Sequence, residues 1–148
     1  MSASDRRVYE SYIQATPEQI WQALTDPSLT EQYFFGTRVE SDWGNRAPIR
    51  YRNAEGGVDA DGEILEASEN RRLETTFRPA WSPSMEGAEP GTVSWEIEPS
   101  GTASKVTLTH AGFDFASPGS DQVHLGWVLT LSSLKTLLET GKPLNVGG

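Results

Sequence analysis

Two histidines, His110 and His124, are the side chains best suited to move protons, because imidazole titrates near neutrality. His110 closes a run, Ser104 to His110, in which Val106, Leu108 and His110 share one parity. On a strand that parity aims all three at the same face. His124 lies on the flank of a helical stripe that includes Trp127. Brought together, the two rings would form a proton shuttle or part of a metal site. The competing reading has each imidazole cap a loop or satisfy a buried backbone group. A metal site needs further ligands at known spacing, and no His-Glu-x-x-His or comparable cluster occurs. The cysteine count is 0, which excludes thiolate nucleophiles, zinc fingers, iron–sulfur clusters and disulfides together. A Gly-x-Ser-x-Gly elbow and a phosphate-cradling glycine loop are both missing. The expectation is therefore no catalytic residue, no metal and no cofactor, with His110 a structural hydrogen-bonder at the start of an Ala111-Gly112 turn.

The aromatic residues carry a different chemistry. Trp21, Trp81, Trp95 and Trp127, with Tyr33, Phe34, Phe77 and Phe113, are of the type that lines a pocket for an aromatic or acyl ligand. Ordinary core packing competes with that reading for each of them. Trp127 falls in the centre of its stripe and reads as core. Phe77 and Trp95 fall mid-strand and read as cavity wall, and Trp81, in a proline-rich segment, reads as a mouth residue. The expected ligand-binding set is Tyr33, Phe34, Phe77, Trp81, Trp95, His110, Phe113 and His124. Asp59, Asp61 and Glu63 alternate along one strand, which makes a solvated outer face and not a calcium loop. With 21 acidic against 12 basic residues the formal net charge is −9, which repels nucleic acid and anionic lipid alike. No run approaches the ~20 apolar residues of a membrane span. Met1 to Arg7 lacks the apolar centre of a signal peptide, so a cytoplasmic location is expected.

Positioning these side chains requires a definite set of elements. Arg7 to Ala15 alternates as a strand, with apolar residues in both parities, so its buried face stays open. Thr16 as N-cap, Pro17 at the first helical position and Gln19 at the capping-box position start a helix that Asp26-Pro27 stops. A second short helix, about Leu29 to Phe34, ends at Gly36. From Thr37 the period turns alternating: Val39, Ile49 with Tyr51, Ile64, then Leu73, Thr75 and Phe77 mark strands. Turns are expected at residues 53–57 and at Glu69-Asn70. Arg78 to Pro90, with three prolines, reads as a long loop. Thr92 to Glu98 and Ser104 to His110 alternate cleanly, as strands with one wet face do. Trp127, Leu131, Leu134 and Leu138 then step by four, three and four along a helix from about Ser120 to Glu139, which Gly141 and Pro143 end. One long amphipathic helix after six or seven meandering strands needs a concave sheet to receive it. The expected fold is α+β: a curved antiparallel sheet wrapped around the long C-terminal helix in a helix grip, with two short helices after the first strand. One domain spans residues 1–148, with its core about 7–142.

Four segments, in order, resemble a known family. They are Ala15-Thr-Pro-Glu-Gln-Ile-Trp-Gln-Ala-Leu-Thr-Asp-Pro27, Asp61-Gly-Glu-Ile-Leu-Glu66 with Leu73 to Phe77, Leu108-Thr-His-Ala-Gly-Phe113, and His124-Leu-Gly-Trp127 continuing to Leu134-Lys135 and Leu138-Glu139. The chain resembles the bacterial branch of the activator of heat-shock-protein-90 ATPase homologue family, within the START-like (SRPBCC, birch-pollen-allergen-like) superfamily. That resemblance implies a deep apolar cavity between sheet and long helix, and no universal catalytic motif. Relatives in the superfamily include lipid carriers, cyclases and aromatases, dioxygenase subunits and chaperone activators, so fold alone leaves function open. The expected function is small-molecule binding: an apolar or aromatic ligand held in that cavity, without catalysis. The runner-up is a small cyclase- or hydrolase-like enzyme using His110 and the same cavity. A third reading is a co-chaperone-like or regulatory module of the stress response, with a chaperone or another protein as partner. Monomer and homodimer are both open.

Overall fold

The computed structural model describes residues 6–79, 91–112 and 120–144. The expected loop from Arg78 to Pro90, with Trp81 and Met85, falls almost wholly outside the described residues, as does Phe113. Within them, the first strand is β1 (Arg6–Ile13), followed by helices α1 (Pro17–Thr25) and α2 (Pro27–Tyr33). Six further strands follow: β2 (Arg38–Ser41), β3 (Pro48–Arg52), β4 (Val58–Ser68), β5 (Arg72–Pro79), β6 (Gly91–Ser100) and β7 (Ala103–Ala111). The last element is the long helix α3 (Ser120–Thr140). The strands form one antiparallel, curved sheet in the order β1-β7-β6-β5-β4-β3-β2. This is the helix-grip architecture expected from the alternation of strands and the closing amphipathic helix.

Local chemistry explains the early helices. The Thr16 hydroxyl accepts from the Gln19 backbone at 3.2 Å while the Gln19 side chain accepts from the Thr16 backbone at 2.8 Å, closing the capping box. Asp26 does two jobs. Its backbone N–H ends α1 on the Gln22 carbonyl at 2.8 Å, and its carboxylate caps α2 by accepting from the Ser28 N–H at 2.8 Å. The Ser28 hydroxyl, which also donates to this carboxylate at 2.7 Å, and then the Ser28 N–H hold the carboxyl below its ordinary range. The second helix thus begins two residues before the expected Leu29, because Pro27 fills its first position.

Tertiary packing decides what alternation left open in β1. Ile13 is buried and Tyr9 half-buried, while Val8 and Tyr12, of the other parity, are 49% and 57% exposed. On α3, Val123, Trp127, Leu131, Leu134 and Leu137 are buried. Leu137 takes the place expected of Leu138, which is only partly buried. The far end of α3 is tied to β1: the Lys135 ammonium donates to the Tyr12 carbonyl at 2.6 Å and to Glu139 at 2.7 Å. Glu139 in turn accepts from the Gln14 backbone N–H at 2.8 Å.

The sheet turns its corner at β4. Between the pairs Asp61↔Arg78 and Ile64↔Thr75, Gly62 and Glu63 keep their Cα partners on β3 but have none on β5, and a bulge follows between Ile64 and Glu66. The Glu63 N–H goes to the Thr76 hydroxyl at 2.9 Å instead. At Gly62 the neighbouring strand comes so close that an added Cβ would lie 1.9 Å from the Thr76 carbonyl oxygen. That contact is with backbone and cannot yield cheaply. Gly62→Ala should therefore cost at least about 3 kcal/mol, the upper range for forced overpacking. Gly44→Ala, with nothing within 4 Å of its Cβ position, should cost under about 1 kcal/mol. Denaturant melts giving the two variants similar losses would contradict this account of the corner.

Candidate functional site

The strongest internal constellation centres on Trp127. Its ring lies 5.1 Å from Phe77, 5.7 Å from His110, 5.8 Å from Phe34 and 6.3 Å from Trp95, centroid to centroid. Four of these rings come from four elements: α3 brings Trp127, β5 Phe77, β6 Trp95 and β7 His110. Phe34 comes from the end of α2. The indole N–H of Trp127 donates to His110 Nδ1 at 2.9 Å. Indole nitrogen can only donate, so Nδ1 is the acceptor and the neutral ring carries its proton on Nε2. His110 is fully buried, and desolvation lowers its pKa from the ordinary 6.5 to about 4. At neutral pH it is an uncharged member of an aromatic cluster.

The sequence-expected residues divide on this geometry. Phe77, Trp95 and His110 come together around Trp127, all of them buried, and they are not among the residues that line the cleft beyond Phe34. His124 does not join His110. It is exposed on α3, where Tyr9 hydrogen-bonds its Nδ1 at 3.0 Å. The two imidazoles therefore have separate partners, Tyr9 for His124 and Trp127 for His110. Tyr33 is buried with its hydroxyl donated to the Ala23 carbonyl at 2.8 Å, and burial raises its pKa well above the ordinary 10. Trp81 and Phe113 lie outside the described residues.

Phe34 reaches an open site. A partly open cleft of about 340 Å³ lies between the end of α2, strands β3 and β4, and the first turns of α3. Its walls are almost entirely apolar: Phe34, Phe35, Tyr51, Ala60 and Gly126, with Thr37, Asp59 and Gln122 adding the few polar groups. The aromatic edge of Tyr51 meets Phe34 at 4.7 Å. Burial raises the Tyr51 phenol above its ordinary pKa, so it remains a protonated donor. Phe35 stands over the rim, 58% exposed, its ring 3.8 Å from where a Cβ on Gly126 would be.

The backbone at this rim is strained and firmly held. Phe35 has φ +52°, and Gly36 follows at +72°. A bulky residue in the left-handed region costs energy unless its surroundings impose it. They do so through two buried threonines. Thr30 Oγ1 donates to the Thr37 carbonyl at 2.9 Å and accepts the Val39 N–H at 3.0 Å. Thr37 Oγ1 donates to the Phe34 carbonyl at 2.7 Å. The turn that presents Phe34 and Phe35 is thus bolted to the start of β2. Sequence reading marked Phe34 but missed Phe35, Tyr51, Ala60 and Gly126. The available signal was the Phe34-Phe35-Gly36 run directly after a short helix, with a tyrosine at an inward strand position. Among the described residues, no group of three or more His, Asp or Glu side chains could hold a metal ion, and no helix is long and apolar enough to cross a membrane.

With this geometry in view, a family model described as "Activator of Hsp90 ATPase homolog 1-like protein" matches residues 14–139. The chain belongs to that family. No curated protein matches the sequence. Solved structures show the same fold at low identity. A protein of Mesorhizobium loti has 24% identity and TM-score 0.72, over 90% of this chain and 96% of its own. The Aha1 dimer from Colwellia psychrerythraea has 22% identity and TM-score 0.72, over 93% of this chain and 98% of its own. DynU16, a protein of the dynemicin biosynthetic locus, has 23% identity and TM-score 0.73, over 94% of this chain but only 49% of its own. Within this Hsp90-ATPase-activator-like fold, the capping box of α1, the Gly62 corner and the Lys135–Glu139 clamp give physical meaning to the segments by which the sequence resembled the family.

The buried histidine yields a pH prediction. Unfolded, its imidazole takes a proton near pH 6.5; folded, near pH 4. Between these values the unfolded state binds more protons, so stability rises with pH across the window and is lost as pH falls. The contribution is roughly 3 kcal/mol, fully present above about pH 6.5. His110→Gln removes this titration. Wild type should therefore lose more stability than the variant between pH 6.5 and 4, and equal losses in paired urea melts would refute the assignment.

Proposed function

We propose that this protein binds a small apolar or aromatic molecule in the cleft between α2, β3, β4 and the start of α3, without transforming it. The observation that carries the reading is the cleft itself: about 340 Å³ of space walled by Phe34, Phe35, Tyr51, Ala60 and Gly126. That volume lies at the small end of pockets that take organic ligands, and apolar walls with a few polar groups are their usual make-up. The rigid threonine bolts behind Phe34 and Phe35 support a preformed site, which lowers the ordering cost of binding. DynU16, a relative in fold, is described as a protein of the dynemicin biosynthetic locus, which accords with a small-molecule ligand.

The enzyme reading needs a general base with a pKa near the working pH and a free path to substrate. His110, its natural candidate, has a pKa of about 4 and its Nδ1 lone pair engaged by Trp127. Those features favour a structural histidine, and binding over turnover. A protein-interaction role has one observation of its own: Phe35 at the rim and Leu125 on α3 are 58% and 55% exposed apolar side chains. The Colwellia relative is described as a dimer, and a second copy of this chain would be a natural occupant of that surface.

The neutral dye N-phenyl-1-naphthylamine tests the binding reading. Its fluorescence should rise saturably with the protein. Gly126→Leu should weaken that binding at least tenfold, because side-chain atoms beyond its Cβ must enter the cleft or displace Phe35. His110→Gln should leave dye affinity within about twofold. A flat titration with wild type, or equal affinity in Gly126→Leu, would remove the cleft as the site.

A further inference from the structure

Two tyrosines bury their rings at this end of the molecule, and they differ in what their hydroxyls do. Tyr33 is spent on the Ala23 carbonyl. Tyr51, only 8% exposed, makes no hydrogen bond with any described residue, and its oxygen is not sealed from open space. The open space beside it is the cleft, whose wall it forms. The other hydroxyl in that wall, Thr37 Oγ1, is already donated to the Phe34 carbonyl. A largely buried O–H without an acceptor is costly, and although Asp59 and Gln122 also line the cleft, neither accepts a hydrogen bond from it. The missing partner is therefore an acceptor brought in by the ligand.

Charge narrows the ligand further. Asp59 is the one ionisable acid or base among the described lining residues apart from the Tyr51 phenol, and no Lys or Arg lines the cleft among them. The whole chain carries a formal net charge of −9. A free carboxylate, as in a fatty acid, would bring a second negative charge toward Asp59 with no cation to offset it. A neutral carbonyl oxygen asks for no counter-charge and accepts from a phenol directly. The adjoining rings of Phe34 and Phe35 favour an aromatic body on that carbonyl.

We infer that the cleft selects a neutral aromatic carbonyl compound, with Tyr51 as the specificity-determining donor to its carbonyl oxygen. This rests on the binding role proposed above and adds the ligand's chemical class. Fluorene and 9-fluorenone, equal in shape and differing by a carbonyl, separate the two claims. Calorimetry with wild type should show fluorenone bound roughly three- to tenfold more tightly than fluorene, the worth of one net hydrogen bond. Tyr51→Phe keeps the ring and should bring the two ligands to within about twofold, chiefly by weakening fluorenone. Fluorene-9-carboxylate should bind wild type more weakly than either. As a readout that needs no difference in affinity, the infrared carbonyl stretch of fluorenone bound to wild type should lie below its value in hexane. If both neutral compounds bind and their ratio is the same in Tyr51→Phe, or the bound stretch is unshifted, the Tyr51 assignment fails while the binding role stands. Tight binding of the carboxylate would overturn the neutral-ligand claim. If neither neutral compound binds, both proposals fall.

Discussion

The hydrogen bond from the Trp127 indole to His110 is the interaction around which the rest of the molecule is arranged. A buried indole N–H needs an acceptor, and a sheet interior offers almost none, because its carbonyls are consumed by strand pairing. A neutral histidine on β7, which lies between β1 and β6, supplies one. The arrangement holds only while the imidazole is uncharged, which complete burial and the surrounding rings of Phe77 and Trp127 ensure. With its polar edge satisfied, the largest side chain of α3 can sit at the centre of the grip and touch β5, β6, β7 and α2 together. The long helix is thereby located against the sheet by one directional contact in addition to non-directional burial.

That arrangement also determines where empty space is left. The middle of the grip holds the packed rings of Trp127, Phe77 and Trp95, and a cleft opens beyond Phe34, toward the start of α3. There the helix presents Gly126, which has no side chain to fill the gap, and β4 presents Ala60, whose side chain is small. The cleft is thus a consequence of small residues placed where the aromatic cluster ends. Its rim depends on the strained Phe35-Gly36 turn, and the Thr30 and Thr37 hydroxyls hold that turn by hydrogen-bonding the Thr37 and Phe34 carbonyls and the Val39 N–H.

The Gly62 corner belongs to the same economy of space. A sheet that curves enough to receive a helix must bring neighbouring strands unusually close at some point, and a bulge or glycine is how that is done. Here β4 carries both devices within five residues: glycine against Thr76, then the bulge between Ile64 and Glu66. The curvature made there brings β3 and β4 around to form the far wall of the cleft.

The sequence by itself determined the elements and their buried faces wherever a local signal was sufficient. Thr16-Pro17-Gln19 specified a helix start; the parities of Val93-Trp95-Ile97 and Val106-Leu108-His110 specified inward faces; the Trp127-Leu131-Leu134 spacing specified the gripping stripe. Each signal involves atoms a few residues apart, so it can be read along the chain. The inward face of β1 was not legible, since both parities hold apolar residues and only docking against α3 separates them. The role of the aromatics was not legible either. Phe77 and Trp95 are of the right type and parity for a cavity wall, and both pack against the Trp127 ring, while Tyr51 and Gly126 border the cleft. Whether an inward side chain faces a neighbour or a void depends on the summed volumes of residues from five different elements, and that sum exists only once tertiary packing has brought them together.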